Sequence, residues 1–430
     1  MNNKCQVVEC RSCDVIVNIK NGKTFFADKG IRMPLEKDVL TFLGENNFFS
    51  EVTMHRPSIR NNIIINPTVS ITNKCNLNCE YCFAKKYRSK KDVDFEDFLS
   101  FIDIVKKYNP NFEYMKIDLT GSGEPLLRFD LVKKIHEYSM NYSALHSKME
   151  IGFTTNGLLI NKNIKKFILK NKLNIGISYD GFTNKEYSKR INETQNLDLL
   201  YKIKGLKKRI GIACTITGGE RDIISNVVGF SKIANAITMK LVRPNTDSSL
   251  SSYDVEKIKI QYTKLLEFLI FEILNGDYSH IMKLISDEDI FGKTIRRVFS
   301  GHLYSNRCGG GVSKSSLTSD GNIYYCGAAN YIEFFRIGNI KEGIFEEKVL
   351  ELMEIQMSRS NCIDCWAKFI CGGPCLIDLH QRTFNSISKD YCELSKHLIS
   401  LAFEFKYIIF NNNQRAYKLI TGKSHDLHYL

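Results

Sequence analysis

Between positions 67 and 243 the chain alternates two hydrophobic rhythms. Short apolar runs occur at 67–72 (PTVSIT), 114–120 (YMKIDLT), 149–155 (MEIGFTT), 173–179 (LNIGISY), 209–216 (RIGIACTI) and 236–243 (AITMKLVR). Their length and β-branched content predict strands. Between them lie stretches such as FEDFLSFIDIVKKY and RFDLVKKIHEYSMNY, where apolar residues recur every three or four positions, as on one face of a helix. Six strand–helix units predict an α/β fold with a parallel sheet and helices outside it.

Parallel sheets place their chemistry in the loops after the strand C-terminal ends. After the first strand comes a run with three cysteines. TGSGEP (120–125) follows the second strand, TNG (155–157) the third, YDGF (179–182) the fourth, and Arg243-Pro244 the sixth. Each Gly, Asn, Asp or Pro cluster alone is ordinary turn chemistry. Gathered at one edge of a sheet beside three thiols, they mark a candidate site.

The flanks differ in pattern. Residues 1–66 predict a small, separate α+β head. DVIVNIKNGKTFFA there predicts two strands joined by a type I′ turn at Asn21-Gly22. PLEKDVLTFLGENNFF predicts a short helix opened by Pro34. The strand–helix units occupy 67–250. Residues 251–301 are helical in pattern, 302–397 are cysteine-rich and irregular, and 398–430 return to helical spacing.

Composition narrows the class. At 430 residues and 43% apolar content, two or three units with a real core are expected. No apolar run reaches the ~18 residues of a membrane span. The opening MNNKCQVVECRSCD lacks the basic-then-apolar order of a signal peptide. A cytoplasmic location follows as the expectation. Fourteen cysteines in a reducing compartment argue for metal rather than disulfides. The net charge of +13 is spread along the chain without aromatic interleaving. The plain reading is a solvated surface; the charge would also suit an acidic peptide, and no nucleic acid or membrane partner is expected.

Cys75-x3-Cys79-x2-Cys82 offers three soft ligands to one point. A 4Fe–4S cluster takes four ligands, so three cysteines leave one iron open. A zinc knuckle or buried free thiols are the alternatives. A second series comprises Cys308, Cys326, Cys362-x2-Cys365-x5-Cys371-x3-Cys375 and Cys392. Cys5, Cys10 and Cys13 form a third group with no evident fourth ligand, and Cys214, inside a strand, reads as core.

The loop CNLNCEYC, with Tyr81 before its last cysteine, resembles the signature of radical S-adenosylmethionine (SAM) enzymes, and GSGEP resembles their GGEP element. The resemblance implies a partial (β/α)6 barrel and a 4Fe–4S cluster on Cys75, Cys79 and Cys82. The methionine part of SAM chelates the fourth iron in that family, and SAM is cleaved to a 5′-deoxyadenosyl radical. The implied SAM pocket comprises Tyr81, Phe83, Ser122, Gly123, Glu124, Pro125, Asn156, Ser178 and Arg190.

The later cysteines resemble the SPASM extension of such enzymes. That implies two auxiliary 4Fe–4S clusters, three clusters in all. Cys308, Cys326 and Cys375 would ligate the first, and Cys362, Cys365, Cys371 and Cys392 the second. Relatives carry an eighth cysteine about six residues before the position of Cys308 (an offset that comes with the SPASM resemblance). Here that position is His302, which leaves either a histidine ligand or an open iron. The resemblance implies a maturase that crosslinks a ribosomally made precursor peptide, with flavodoxin or ferredoxin as electron donor. Residues 1–66 would capture the leader of that peptide. Alternatives are an anaerobic sulfatase-maturing enzyme, a small-molecule dehydrogenase and a non-catalytic metal-binding scaffold. Sulfatase-maturing enzymes place a catalytic Asp directly after the cysteine corresponding to Cys326, where this chain has Gly327.

Overall fold

The computed structural model describes residues 4–51, 62–87, 91–181, 190–218, 221–243, 250–285, 289–304, 306–357, 360–380 and 389–426. All six predicted strands form, most of them shorter than the apolar runs. The first consists of two pieces, Ile64–Ile65 and Thr68–Val69, lying end to end along Tyr114–Asp118. Lys148–Gly152 pairs with the other edge of Tyr114–Asp118. Thr154–Thr155, Ile175–Ser178, Ile210–Ile216 and Ala236–Leu241 continue the parallel order.

The third predicted strand therefore serves two sheets, with the break at Phe153. Leu119 N donates to the Gly152 carbonyl at 2.8 Å, while Gly176 N donates to that of Phe153, also at 2.8 Å. Adjacent carbonyls thus bond to opposite neighbours, as in any interior strand, which joins the two sheets across Phe153; the twisted surface curls into a half-barrel. Along Ile210–Ile216 the residues Ile210, Ile212, Cys214 and Ile216 are buried and those between are half-buried. This alternation fits a strand with a helix layer on one face and a concave interior on the other.

The outer helices bury one stripe each. Phe95–Tyr108 buries Phe98, Phe101, Ile102 and Val105, the spacing of a single helix face. Asn161, Asn192 and Asp222 cap the N-termini of Lys162–Lys170, Glu193–Ile203 and Ile223–Ile233 by accepting backbone N–H bonds. These caps fix where each loop ends and its helix begins.

The cysteine-rich region extends the barrel's own sheet. Ser316–Leu317 runs parallel to Thr68–Val69, and Asn322–Tyr324, Arg336–Asn339 and Gly343–Ile344 follow antiparallel. Helices Ser252–Leu274, Ser279–Leu284, Ile290–Ser300, Lys389–Asn412 and Gln414–Asp426 pack on one another and, through Ser279–Leu284 and Ile290–Ser300, on the strand Ala236–Leu241. Cys392 lies in the first turn of Lys389–Asn412, so the expected boundary at 397/398 cuts one continuous helix. No helix among the described residues is long and apolar enough to cross a membrane.

The head departs most from expectation. It is a three-stranded antiparallel sheet, Cys5–Glu9, Asp14–Asn18 and Thr24–Ala27, followed by the helix Lys37–Glu45. Every residue of Asp14–Asn18 is buried because both faces are covered. Ile16 packs with Cys5, Leu35, Leu43 and Phe48 in a local cluster. Val15 and Val17 join the main core. Phe26 meets Phe403 edge-on with centroids 5.6 Å apart, and Arg11 Nε donates to Glu404 Oε1 at 3.1 Å. The head is thus sealed onto Lys389–Asn412 rather than free-standing.

The hairpin turn also differs. Val17 pairs with Thr24 and Asn18 N donates to the Lys23 carbonyl, which leaves the four-residue link 19–22 in place of a two-residue turn. Asn21 is diverted to a tertiary role, its Nδ2 donating to the Phe48 and Ser50 carbonyls at 2.9 Å. Gly22 has φ 76°, and a Cβ there would meet Leu303 and Phe369 at 2.8 Å. The following helix starts at Lys37 with Glu36 at its cap, three positions later than Pro34 predicts.

Candidate functional site

Cys75, Cys79 and Cys82 sit in the loop leaving Thr68–Val69. Cys79 is buried and the other two are half-buried. Cys82 N donates to the Cys79 carbonyl at 3.2 Å, closing a turn between them. Burial raises the Cys79 thiol pKa; Arg190 opposes the rise, and neighbouring Cys82 and Cys75 add to it. The three sulfurs are therefore grouped. Among the described residues no three cysteine sulfurs lie within 4.8 Å of one another. Four thiolates on zinc, at ~2.3 Å each, would lie roughly 3.8 Å apart. The wider grouping fits a bulkier iron–sulfur cluster, and these three residues could hold one.

Glu124 ties the facing loops together. Its Oε1 accepts from Leu126 N at 3.1 Å and Thr155 Oγ1 at 2.5 Å, and its Oε2 from Asn156 N at 2.9 Å. Burial raises its pKa, and these donors work against that rise. The carboxylate is thus committed to the protein, and only the loop backbone around it is offered to a ligand. Asn156 Nδ2 donates to Asn76 Oδ1 at 2.8 Å, joining TNG to the cysteine loop. Close approach demands glycine at two places. A Cβ on Gly121 would fall 2.1 Å from Ser70 Oγ, and one on Gly123 2.2 Å from the Lys74 carbonyl. Ser122 stands between them, its N–H donating to Ser70 Oγ at 2.9 Å. Pro125 opens the short helical turn that follows.

Tyr81 and Arg190 meet on an acid that sequence reasoning passed over. Asp180 accepts from the Tyr81 hydroxyl and pairs with Arg190 Nε at 3.2 Å, and the Arg190 guanidinium lies 5.3 Å from the Tyr81 ring centre. Asp180 Oδ1 also accepts from Thr215 N at 3.0 Å. Its backbone carbonyl accepts from Arg221, whose Nη1 also reaches Cys214 Sγ at 3.0 Å. Arg190 is thus paired through Nε with a carboxylate of the protein itself. The signal was present as the D of YDGF, two residues past Ser178, which ends Ile175–Ser178 half-buried. Phe83 lies under Arg243, 5.0 Å from ring centre to guanidinium.

Residues 69–220 match the model of the radical SAM superfamily. Residues 69–220 are thus a radical SAM domain, and the chain is an enzyme. Its domain takes a 4Fe–4S cluster and SAM. The chain is 29% identical over 214 residues to the uncharacterized protein MJ0907 of Methanocaldococcus jannaschii, covering 47% of this chain and 72% of that protein. It is 24% identical over 367 residues to the radical SAM cyclopropyl synthase TigE of Paramaledivibacter caminithermalis, covering 79% and 74%. The solved structure of native anSMEcpe with bound AdoMet and Cp18Cys peptide superposes with TM-score 0.63 at 20% identity, covering 81% of this chain and 99% of that one. At that identity the likeness is one of fold.

The remaining cysteines fall into distinct neighbourhoods. Burial pushes Cys326 up to about 12, with Cys375 and Cys308 adding to the rise and Arg243 opposing it. Burial pushes Cys392 up to about 11, with Cys371, Cys362 and Cys365 adding. Cys326 thus has Cys375 and Cys308 as its thiol neighbours, and Cys392 has Cys371, Cys362 and Cys365. Cys308 is exposed, and so is His302, whose backbone N–H donates to Ser300 Oγ at 3.3 Å. Cys10 and Cys13 face the main core with their side chains hydrogen-bonded to each other, whereas Cys5 belongs to the local head cluster, so the three do not meet at one point. Cys214 is core, as its place in a strand predicts.

Proposed function

We propose that this enzyme is a SPASM-type radical SAM maturase with three 4Fe–4S clusters that crosslinks a ribosomally made precursor peptide through a thioether or carbon link. The observation that carries this reading is the division of the later cysteines into Cys308, Cys326 and Cys375 on one side and Cys362, Cys365, Cys371 and Cys392 on the other. It matches the SPASM ligand sets cysteine by cysteine. The fold likeness to a peptide-bound relative and the alignment with a cyclopropyl synthase point the same way.

In this reading Cys75, Cys79 and Cys82 hold the cluster that binds SAM, and together these supply a 5′-deoxyadenosyl radical that removes a hydrogen atom from the peptide. The backbone of Ser122, Gly123 and Glu124 receives the methionine amino group, and Pro125 starts the turn that shapes it. Tyr81, Phe83, Asn156 and Ser178 line the pocket. Arg190 holds Tyr81 in place through Asp180. Closing a new bond with loss of a second hydrogen as a proton leaves one electron to dispose of, and Cys362, Cys365, Cys371 and Cys392 would hold a centre able to take it up. Cys308, Cys326 and Cys375 leave a position open to His302 or to a peptide thiolate. The head's sheet edges suit leader capture by strand addition, and flavodoxin or ferredoxin would supply the first electron. Gly327 weighs against sulfatase maturation, because the acid expected there is missing.

The test is iron and acid-labile sulfide per chain after anaerobic reconstitution. Roughly twelve irons are expected, falling to about eight with Cys75, Cys79 and Cys82 all changed to Ala. Zinc in place of iron, or no loss in the variant, refutes the reading. Incubation with a precursor peptide that the chain modifies should then yield a peptide lighter by two hydrogens.

A further inference from the structure

Two arginines, Arg297 buried and Arg307 half-buried, stand among the later cysteines without a carboxylate of their own. Arg297 donates through Nη1 to the carbonyls of Ile370 at 2.6 Å and Cys371 at 2.8 Å, and through Nη2 to that of Arg307 at 2.7 Å. Its guanidinium covers the Tyr304 ring at 4.0 Å. Arg307 Nη1 donates to the Gly373 carbonyl at 3.2 Å. The groups that favour its charge are Cys371, Cys375, Asp378 and Cys308, in that order. Asp378 is already engaged, its Oδ1 lying 2.7 Å from Arg243. Among the described residues no carboxylate forms an ion pair with Arg297 or Arg307.

A guanidinium does not give up its proton inside a protein, and a buried cation without an anion is costly. Carbonyl dipoles offset part of that cost. The remaining negative charge at hand is that of the cysteines, which become thiolates when they bind iron. Arg307 is unusual in its position, since Cys371 belongs to one set and Cys375 and Cys308 to the other.

We propose that Arg307, backed by Arg297, is the shared counter-cation of the two auxiliary centres and raises both of their reduction potentials, so that each accepts an electron more readily. The inference rests on the reading of two auxiliary clusters above. Its physics is direct: one-electron reduction adds negative charge, and a fixed cation stabilises the reduced form more than the oxidised one. Burial amplifies the effect relative to water.

The experiment uses the reconstituted full-length chain carrying Cys75→Ala, Cys79→Ala and Cys82→Ala, so that only auxiliary centres contribute to the spectrum. Midpoints are read by dye-mediated titration with electron paramagnetic resonance, and iron is counted on the same samples. Arg307→Met should lower both midpoints, each by at least a tenfold loss in the reduction equilibrium, which is 59 mV for a one-electron couple. Arg307→Lys, which keeps the charge, should recover most of the shift. Full iron with unchanged midpoints overturns the proposal. So does loss of auxiliary iron in the Met and Lys forms alike, which would assign Arg307 to cluster assembly alone. If only the Met form loses iron, Arg297→Gln decides: a fall confined to the Cys362 set supports the proposal and no fall overturns it. A parent chain without iron refutes the auxiliary-cluster reading itself, a failure distinct from the others.

Discussion

Changing Glu124 to Gln tests whether the loops around the SAM pocket are held by one carboxylate. Gln keeps the shape but turns one acceptor oxygen into a donor NH2. The better orientation leaves the amide oxygen with Leu126 N and Thr155 Oγ1 and sets the NH2 against Asn156 N, which now bonds Oε2 at 2.9 Å. A lost hydrogen bond to a charged group costs ~1.5–3 kcal/mol, and the stranded buried N–H is part of the same loss. Burial raises the Glu124 pKa, so the neutral amide recovers some desolvation energy. The net cost is about 2 kcal/mol, or ~30-fold in an equilibrium constant. Asn156 is also the residue that joins this loop to Asn76, so the loss should surface as weaker SAM binding, up to ~30-fold. Anaerobic calorimetry of SAM binding, with iron counted on the same samples, measures it. An unchanged dissociation constant at full iron content would refute the reasoning.

Gly123→Ala should be worse than Ser122→Gly, because a Cβ at 123 would lie 2.2 Å from one backbone carbonyl and 2.6 Å from another. We expect ~1–3 kcal/mol of strain and impaired SAM cleavage for the first, and near-normal cleavage for the second, both by chromatography of 5′-deoxyadenosine. Cys365→Ala should abolish crosslinked peptide while SAM cleavage persists; mass spectrometry showing unchanged product would contradict the electron-acceptor role. Asp289 is fully buried, and burial pushes its pKa from 3.8 up to about 6 against three backbone donors. Its stabilising contribution is therefore complete below pH ~4 and disappears as pH rises through about 6. The total is ~3 kcal/mol, roughly half of it between pH 5 and 7.5. Urea unfolding at those two pH values should show this decline in the wild type and not in Asp289→Asn.

The strands and helices of the barrel were legible because their signals are local. Apolar runs such as RIGIACTI and stripes such as Phe98, Phe101, Ile102 and Val105 carry their period within a few residues. The cysteine spacings were legible for the same reason, since ligands on one loop must be close in sequence. The break at Phe153, the sealing of the head onto Lys389–Asn412 and the four-residue link at 19–22 were not. Each is set by a partner far along the chain: Gly176 for Phe153, Glu404 for Arg11, Leu303 and Phe369 for Gly22. Asp180 was in view only as the D of YDGF; its role as the anchor of Tyr81 and Arg190 was not, for no pattern in sequence tells which buried charges will meet. The sequence by itself determined the local elements and the supply of thiols. Tertiary structure decided which sheet each strand joins, which thiols share a neighbourhood and which arginines stand among them. The reason is that hydrogen-bond pairing and charge compensation act between neighbours in space, and folding alone brings those neighbours together.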